Sequence, residues 1–93
     1  MIKVNEYFDG AVKSLAFETP AGKFTSGVME EGEYEFGTSS HETMTVIEGR
    51  LAALLPDGEG WKVFDKGQSF EVPANAKFRV KATGQAAYLC RYE

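Results

Sequence analysis

With 93 residues, 43% of them hydrophobic and 13% aromatic, the chain has the size and apolar content of one folded domain, residues 1–93, rather than of a disordered segment. A formal net charge of −4 excludes the basic field that wrapping nucleic acid requires, and a lone cysteine, Cys90, excludes an internal disulfide framework. No apolar run approaches the ~18 residues of a membrane span, and the opening MIKVNEYFDG lacks the apolar stretch of a secretory signal, so the expectation is a cytoplasmic protein with no membrane partner.

In chain order, the extended stretches read as Ala11–Phe17, Lys23–Met29, Tyr34–Thr38, Glu42–Glu48, Leu51–Leu55, Lys62–Asp65, Ser69–Val72, Lys77–Lys81 and Ala86–Tyr92. Turn chemistry separates them at Glu31-Gly32, Pro56-Asp57-Gly58, Lys66-Gly67, Pro73-Ala74-Asn75 and Thr83-Gly84-Gln85. Roughly eight or nine short strands at intervals of about ten residues predict an all-β sandwich or barrel. No linker, low-complexity tract or sequence repeat interrupts them.

Two motifs refine this. The segment Gly32–Gly49, GEYEFGTSSHETMTVIEG, resembles the first motif of a cupin: Glu42 and Gly49 stand at the spacing of its glutamate and final glycine. The stretch Glu35–Thr38, where that motif carries two histidines, holds Glu, Phe, Gly and Thr. Gly67-QSFEV-Pro73 fits the opening of the second motif, whose histidine position is taken by Phe78. The resemblance implies a cupin-like barrel, a double-stranded β-helix, that lacks the usual three-His, one-Glu metal set. If Glu42 points inward, Met44 and Val46 follow it by strand alternation, while Thr43, Thr45 and Ile47 face out. On the last strand Tyr88, Cys90 and Tyr92 share one face, and Leu89 and Arg91 the other. Apolar residues on both faces predict a homodimer that covers the second one.

A narrower resemblance rests on longer runs. Asn5–Phe8 (NEYF), Gly27–Thr38, Met44–Pro56 (MTVIEGRLAALLP), the Trp61 position, Phe70–Pro73 (FEVP) and the ending Tyr88–Tyr92 (YLCRY) resemble the pyrimidine/purine nucleoside phosphorylase family. These are small bacterial cupins, formerly a domain of unknown function, and the likeness spans nearly the whole chain in order and spacing. It implies reversible phosphorolysis: a nucleoside and phosphate give a free base and ribose 1-phosphate, with broad base tolerance and no cofactor beyond inorganic phosphate as co-substrate. The alternative from a different class is a non-catalytic cupin that binds a sugar or another small ligand.

Such a reaction passes through an oxocarbenium-like sugar, and so asks for a phosphate cradle, polar groups on the ribose and stabilisation of the departing base. Of the three arginines, Arg91 lies in the family's last run and is the first candidate for phosphate, with a surface ion pair as the plain alternative. Arg50 follows a turn and Arg79 should point opposite to Phe78, so both read as solvated. Glu42 is the leading inward carboxylate. Burial would raise its pKa and equip it as a general acid, or it is a structural remnant paired with Arg or Tyr. Tyr7, Tyr34, Phe36 and Tyr88 are base-stacking candidates that serve equally as core. Thr38, Met44 and Phe78 complete the expected substrate-binding set. His41, in the polar turn TSSHE, has no second histidine to form a ligand set. Glu30, Glu31, Glu33 and Glu35 read as a solvated strand edge that repels phosphate; the Glu42 carboxylate repels it too, which places phosphate and Glu42 at different ends of the pocket.

Overall fold

Alternation of apolar and polar residues gives most of the extended stretches two chemically distinct faces. In the computed structural model, which describes residues 1–93, they become ten strands and no helix. These are β1 (Lys3–Tyr7), β2 (Val12–Thr19), β3 (Gly22–Met29), β4 (Gly32–Gly37), β5 (Glu42–Glu48), β6 (Arg50–Leu54), β7 (Trp61–Asp65), β8 (Ser69–Val72), β9 (Lys77–Ala82) and β10 (Ala86–Tyr92). The count exceeds the expected eight or nine by β1, which sequence alternation does not reveal. β1 is an edge strand, paired only with β2, and only Asn5 along it is even partly buried. With so little to bury, it has no apolar face to betray it.

All pairings are antiparallel and form a six-stranded sheet in the order β1-β2-β3-β10-β5-β8 and a four-stranded sheet in the order β4-β9-β6-β7. The inner faces meet over one core. β2, β3, β5, β8 and β10 contribute Val12, Met29, Met44, Val46, Val72 and Ala86; β6 and β9 contribute Leu51, Ala53, Val80 and Ala82. Val12, Met29, Leu51, Val72 and Val80 are wholly inaccessible to solvent, so truncating any of them leaves a cavity as well as losing transfer energy. This is the cupin-like architecture that the two sequence motifs imply. No helix is long and apolar enough to cross a membrane.

The β5–β6 connection depends on a glycine. Gly49 alone separates the two strands, at φ +89, and a Cβ there would lie 2.8 Å from the backbone oxygen of Gln85 and 3.1 Å from the Ala86 Cα. Backbone strain and a backbone clash coincide, and neither neighbour is a flexible side-chain end. Gly49→Ala is therefore expected to lower folding stability by about 1–3 kcal/mol in urea unfolding. A loss within the ~0.5 kcal/mol typical of a surface change would show that the turn relaxes freely.

Candidate active site

Between the sheets, near the ends of β1, β4 and β10, lies a cavity of about 510 Å³. Its floor is the inner face of the six-stranded sheet. β2 supplies Ser14, β5 supplies Glu42 and Met44, and β10 supplies Tyr88, Cys90 and Tyr92. The opposite wall is Phe36 and Gly37 from β4 with Phe78 from β9, while Glu35 and Ser39 stand at the rim. The first hairpin closes one side with Tyr7 and Phe8. Alternation selects these side chains: the cross-strand pairs Cys90–Met44 and Tyr92–Glu42 place the polar groups of β10 beside those of β5.

Six of the residues expected from sequence meet here: Tyr7, Phe36, Glu42, Met44, Phe78 and Tyr88. Three do not. Arg91, the expected phosphate ligand, is on the opposite face of β10. Its Nη2 donates to the Ala21 carbonyl at 2.9 Å, its Nε lies 3.6 Å from a Glu93 oxygen, and its guanidinium sits 6.0 Å from the centre of the Phe24 ring. The alternation that turns Tyr88, Cys90 and Tyr92 inward turns Arg91 out. Tyr34 packs behind the cavity wall and donates its hydroxyl to the Glu30 carbonyl at 2.8 Å. Thr38 pins the turn between β8 and β9, donating to the Pro73 carbonyl at 2.7 Å and accepting from the Ala76 amide at 3.0 Å. His41 is outside the cavity, 3.1 Å from a Glu71 oxygen and 3.5 Å from a Glu93 oxygen. Its Nδ1 is buried and makes no hydrogen bond. Cys90, Tyr92, Ser14 and Ser39 are cavity residues absent from the expected set, while Phe8 belongs to the Asn5–Phe8 run whose sequence reading is a cover for a barrel opening or a partner subunit. The shared face of Tyr88, Cys90 and Tyr92 was the available signal for two of them.

No lysine, arginine or histidine lines the cavity, which carries two carboxylates, Glu35 and Glu42. Glu35 is solvated at the rim and 3.4 Å from Arg79 Nε. Glu42 differs: it is 9% exposed and has no cationic partner. The Cys90 thiol donates to Glu42 Oε1 across 3.3 Å, and Oε2 has no hydrogen-bond partner within the chain. Burial raises the Glu42 pKa above the ordinary 4.5, and the bond from Cys90 opposes that only in part. The other titratable floor groups are displaced upward too. Burial, reinforced by Cys90 nearby, pushes the Tyr88 hydroxyl up to about 12. Burial and the adjacent Glu42 raise the Cys90 thiol, and burial raises Tyr92, whose hydroxyl is 3.0 Å from Thr25 Oγ1. Near neutral pH the floor is thus a set of protonated, uncharged donors around one carboxyl group that holds its proton unusually well.

A glycine makes room for one donor. Tyr88 pairs across strands with Gly27, and a Cβ at Gly27 would fall 2.6 Å from the tyrosine ring. The wall facing the floor is aromatic. The Phe36 and Phe78 ring centres are 5.8 Å apart, and Phe78 continues to Phe70 at 6.3 Å and from there to Phe64 at 4.7 Å. At the mouth, Tyr7 meets Phe36 edge-on at 6.4 Å, and Phe8 packs 5.6 Å from Phe36 and 5.0 Å from Tyr34. Planar, aromatic and polar surfaces therefore face one another across a space of small-molecule size. No group of three or more His, Cys, Asp or Glu side chains is arranged to hold a metal ion.

Comparison with known proteins adds identity to geometry. The family model described as pyrimidine/purine nucleoside phosphorylase matches residues 2–92. A protein of that name from Hahella chejuensis is 55% identical over 92 residues, 99% of each chain. Another from Pseudomonas fluorescens is 56% identical over 92 residues, 99% of this chain and 98% of its own. Among solved structures, a Vibrio parahaemolyticus protein of unknown function superposes with a TM-score of 0.95 at 41% identity, over 100% of this chain and 99% of its own. An RmlC-like cupin from Shewanella frigidimarina gives 0.77 at 19% identity, over 99% of this chain and 83% of its own, a likeness of fold alone.

The desolvated carboxyl group has a stability signature. Because folding raises the Glu42 pKa above its unfolded value, the native state binds the extra proton. Its contribution is therefore full below pH ~4.5 and is lost as pH rises through the folded pKa. Glu42→Gln does not titrate, so its stability relative to the parent should climb across that window and level off above it. Parallel stability curves for the two proteins from pH 4 to 8 would show Glu42 to be solvated after all.

Proposed function

The chain belongs to the pyrimidine/purine nucleoside phosphorylase family, and from that premise we propose that it is a pentosyl-transferring enzyme acting on purine and pyrimidine nucleosides alike. In the reaction the C1′–N bond breaks with its electron pair passing to the base, and a phosphate oxygen forms the new bond at C1′. The base leaves with one added proton, and ribose 1-phosphate remains. Each step is reversible. The observation that carries this reading is the Glu42 carboxyl group, desolvated and braced by Cys90 in a cavity walled by aromatic rings.

Protonated Glu42 donates to the departing base, or, once ionised, offsets positive charge developing at C1′; both favour the transition state over bound substrate. Phe36 and Phe78, with Tyr7, form the apolar side on which a base lies, and Met44 faces them from the floor. Because every base has a π-face, such a wall accepts purines and pyrimidines alike. Tyr88, Tyr92, Ser14 and Ser39 supply neutral donors for ribose hydroxyls and phosphate. Inorganic phosphate is the only co-substrate this chemistry needs, and a single buried thiol suits the reducing cytoplasm.

A second copy of the chain is the partner we assign to the outer face of the six-stranded sheet. One register row crosses it from edge to edge, Val4–Leu15–Ser26–Leu89–Thr45–Ser69, without a charge. Val28 and Ile47 on the same face are about half exposed. Charge on this face lies away from that row, as in the Lys13–Glu6 pair, whereas the outer face of the four-stranded sheet is crossed by ion pairs of Arg79 with Glu33 and Glu35 and of Arg50 with Asp65. Six strands ~4.8 Å apart, over about six residues, give a face on the order of 500 Å² in plan before side-chain relief, within reach of the ~800 Å² per partner of an ordinary dimer.

The enzymatic reading is tested by free-base release from uridine and inosine after EDTA treatment, with and without phosphate. Release should require phosphate, and Glu42→Gln should lower kcat by about 10²–10⁴-fold with the fold intact. Folded protein that binds nucleosides but releases no base under any condition would leave a binding module in place of an enzyme. For the interface, light scattering should return twice the chain mass for the parent and the chain mass for folded Leu15→Glu/Val28→Glu. A monomeric parent at micromolar concentration would remove the dimer.

A further inference from the structure

We propose that Phe8 is a nucleobase clamp: a binding residue whose ring closes the mouth of the cavity over the base, held there by a turn that a phenylalanine does not favour. The identity of the planar ligand rests on the phosphorolysis reading above; the clamp itself rests on separate observations. First, β1 and β2 are joined by a tight turn in which Phe8 has φ 54 and Asp9 φ 56. With Gly10 at φ 85 they form three successive left-handed residues, a conformation that glycine, asparagine and aspartate adopt readily and in which a bulky aromatic is an outlier. Second, Phe8 does not recover that cost in the core, because it is 46% exposed.

Third, the ring is fixed in place. It lies 5.0 Å from Tyr34, whose hydroxyl is anchored to the Glu30 carbonyl at 2.8 Å, and stands edge-on to Phe36 at 5.6 Å and 89°. The turn beneath it is tied down as well. Gly10 N donates to Tyr7 O at 3.1 Å, Ala11 N to Phe8 O at 3.1 Å, and Glu30 N to Ala11 O at 2.8 Å. A strained, half-solvated ring on a rigid turn, lining a cavity beside Tyr7, is a residue kept for what it touches there. What suits it is a flat, unsaturated ring that lies against Phe36 and Phe78 inside and is covered by Phe8 outside. A clamp of this kind tightens purines more than pyrimidines, because the larger base presents more π-surface.

The test compares Phe8→Asn, Phe8→Ala and Phe8→Trp by steady-state kinetics on inosine and uridine, by calorimetric binding of inosine, and by unfolding midpoint. Asn tolerates the left-handed turn and Ala does not, so Asn should unfold later than Ala although both lack the ring. If Phe8 is a clamp, both should raise KM by about tenfold with kcat nearly unchanged, inosine suffering more than uridine, and Phe8→Trp should restore KM. A KM that follows the unfolding midpoint instead of the presence of a ring overturns the clamp and makes Phe8 a structural residue. Unaltered KM in Phe8→Asn, with an active parent, overturns it while leaving phosphorolysis standing. An inactive parent whose inosine binding weakens about tenfold in Phe8→Asn keeps the clamp and removes the phosphorylase. A parent that neither turns over nor binds inosine removes both.

Discussion

A one-residue slip of β10 between β3 and β5 would turn Tyr88, Cys90 and Tyr92 out of the cavity and bring Leu89 and Arg91 into it. Every feature of the site depends on that register. It is held from both sides, by pairing with β3 from Ala86 to Tyr92 and with β5 up to an irregularity between Ala87 and Tyr88. Gly27 locks it further: the inward surface of β3 is vacant just where the Tyr88 ring needs room, and a slipped strand would leave that vacancy unfilled. The small residue on one strand and the large one on the next are therefore a single feature, and the chemistry of the floor is a consequence of packing between strands.

That packing also sets the electrostatics. A carboxyl group stripped of water ordinarily acquires a cation or stays protonated. Glu42 has no cation. Its neighbours are groups whose own ionisation burial suppresses, so proton affinities along the floor rise together. The two outer faces divide the remaining charge unevenly. Ion pairs cross the four-stranded sheet, while the six-stranded sheet keeps charge away from its middle row. The molecule thus has one outer face crossed by ion pairs, one whose charges lie toward the strand ends, and an interior polar without being cationic.

Much of this is legible in the sequence, for physical reasons. The inward direction of Glu42, Met44 and Val46 follows from period-2 alternation once the motif spacing anchors Glu42, and the turns follow from their glycine, proline and asparagine content. The same alternation carried enough information to put Arg91 outside, since Tyr88, Cys90 and Tyr92 cannot share the interior with it; its place in a family run says nothing of which way it faces. β1 is invisible to pattern because it buries almost nothing and exists as a strand through its pairing with β2. Thr38 reads equally as a ligand or as a turn anchor, because a hydroxyl is suited to both; only the nearby carbonyl of Pro73 decides. Phe8 is hidden for a different reason. Nothing about Phe-Asp announces a left-handed turn, since the conformation is imposed by the hairpin and resisted by the residue.

The absence of any cation from the cavity lining has a kinetic consequence for anions. Proteins that bind phosphate through arginine draw it in along a favourable potential, and added salt slows them by screening that attraction. Here an anion approaching the cavity would near a chain of net charge −4 and pass Glu35 on the way to Glu42. Its approach is uphill, and the gain comes only at close range, when desolvated hydroxyl donors meet its oxygens. Salt at physiological strength, with a Debye length of ~8 Å, flattens that slope, so encounter with an anionic ligand quickens as ionic strength rises.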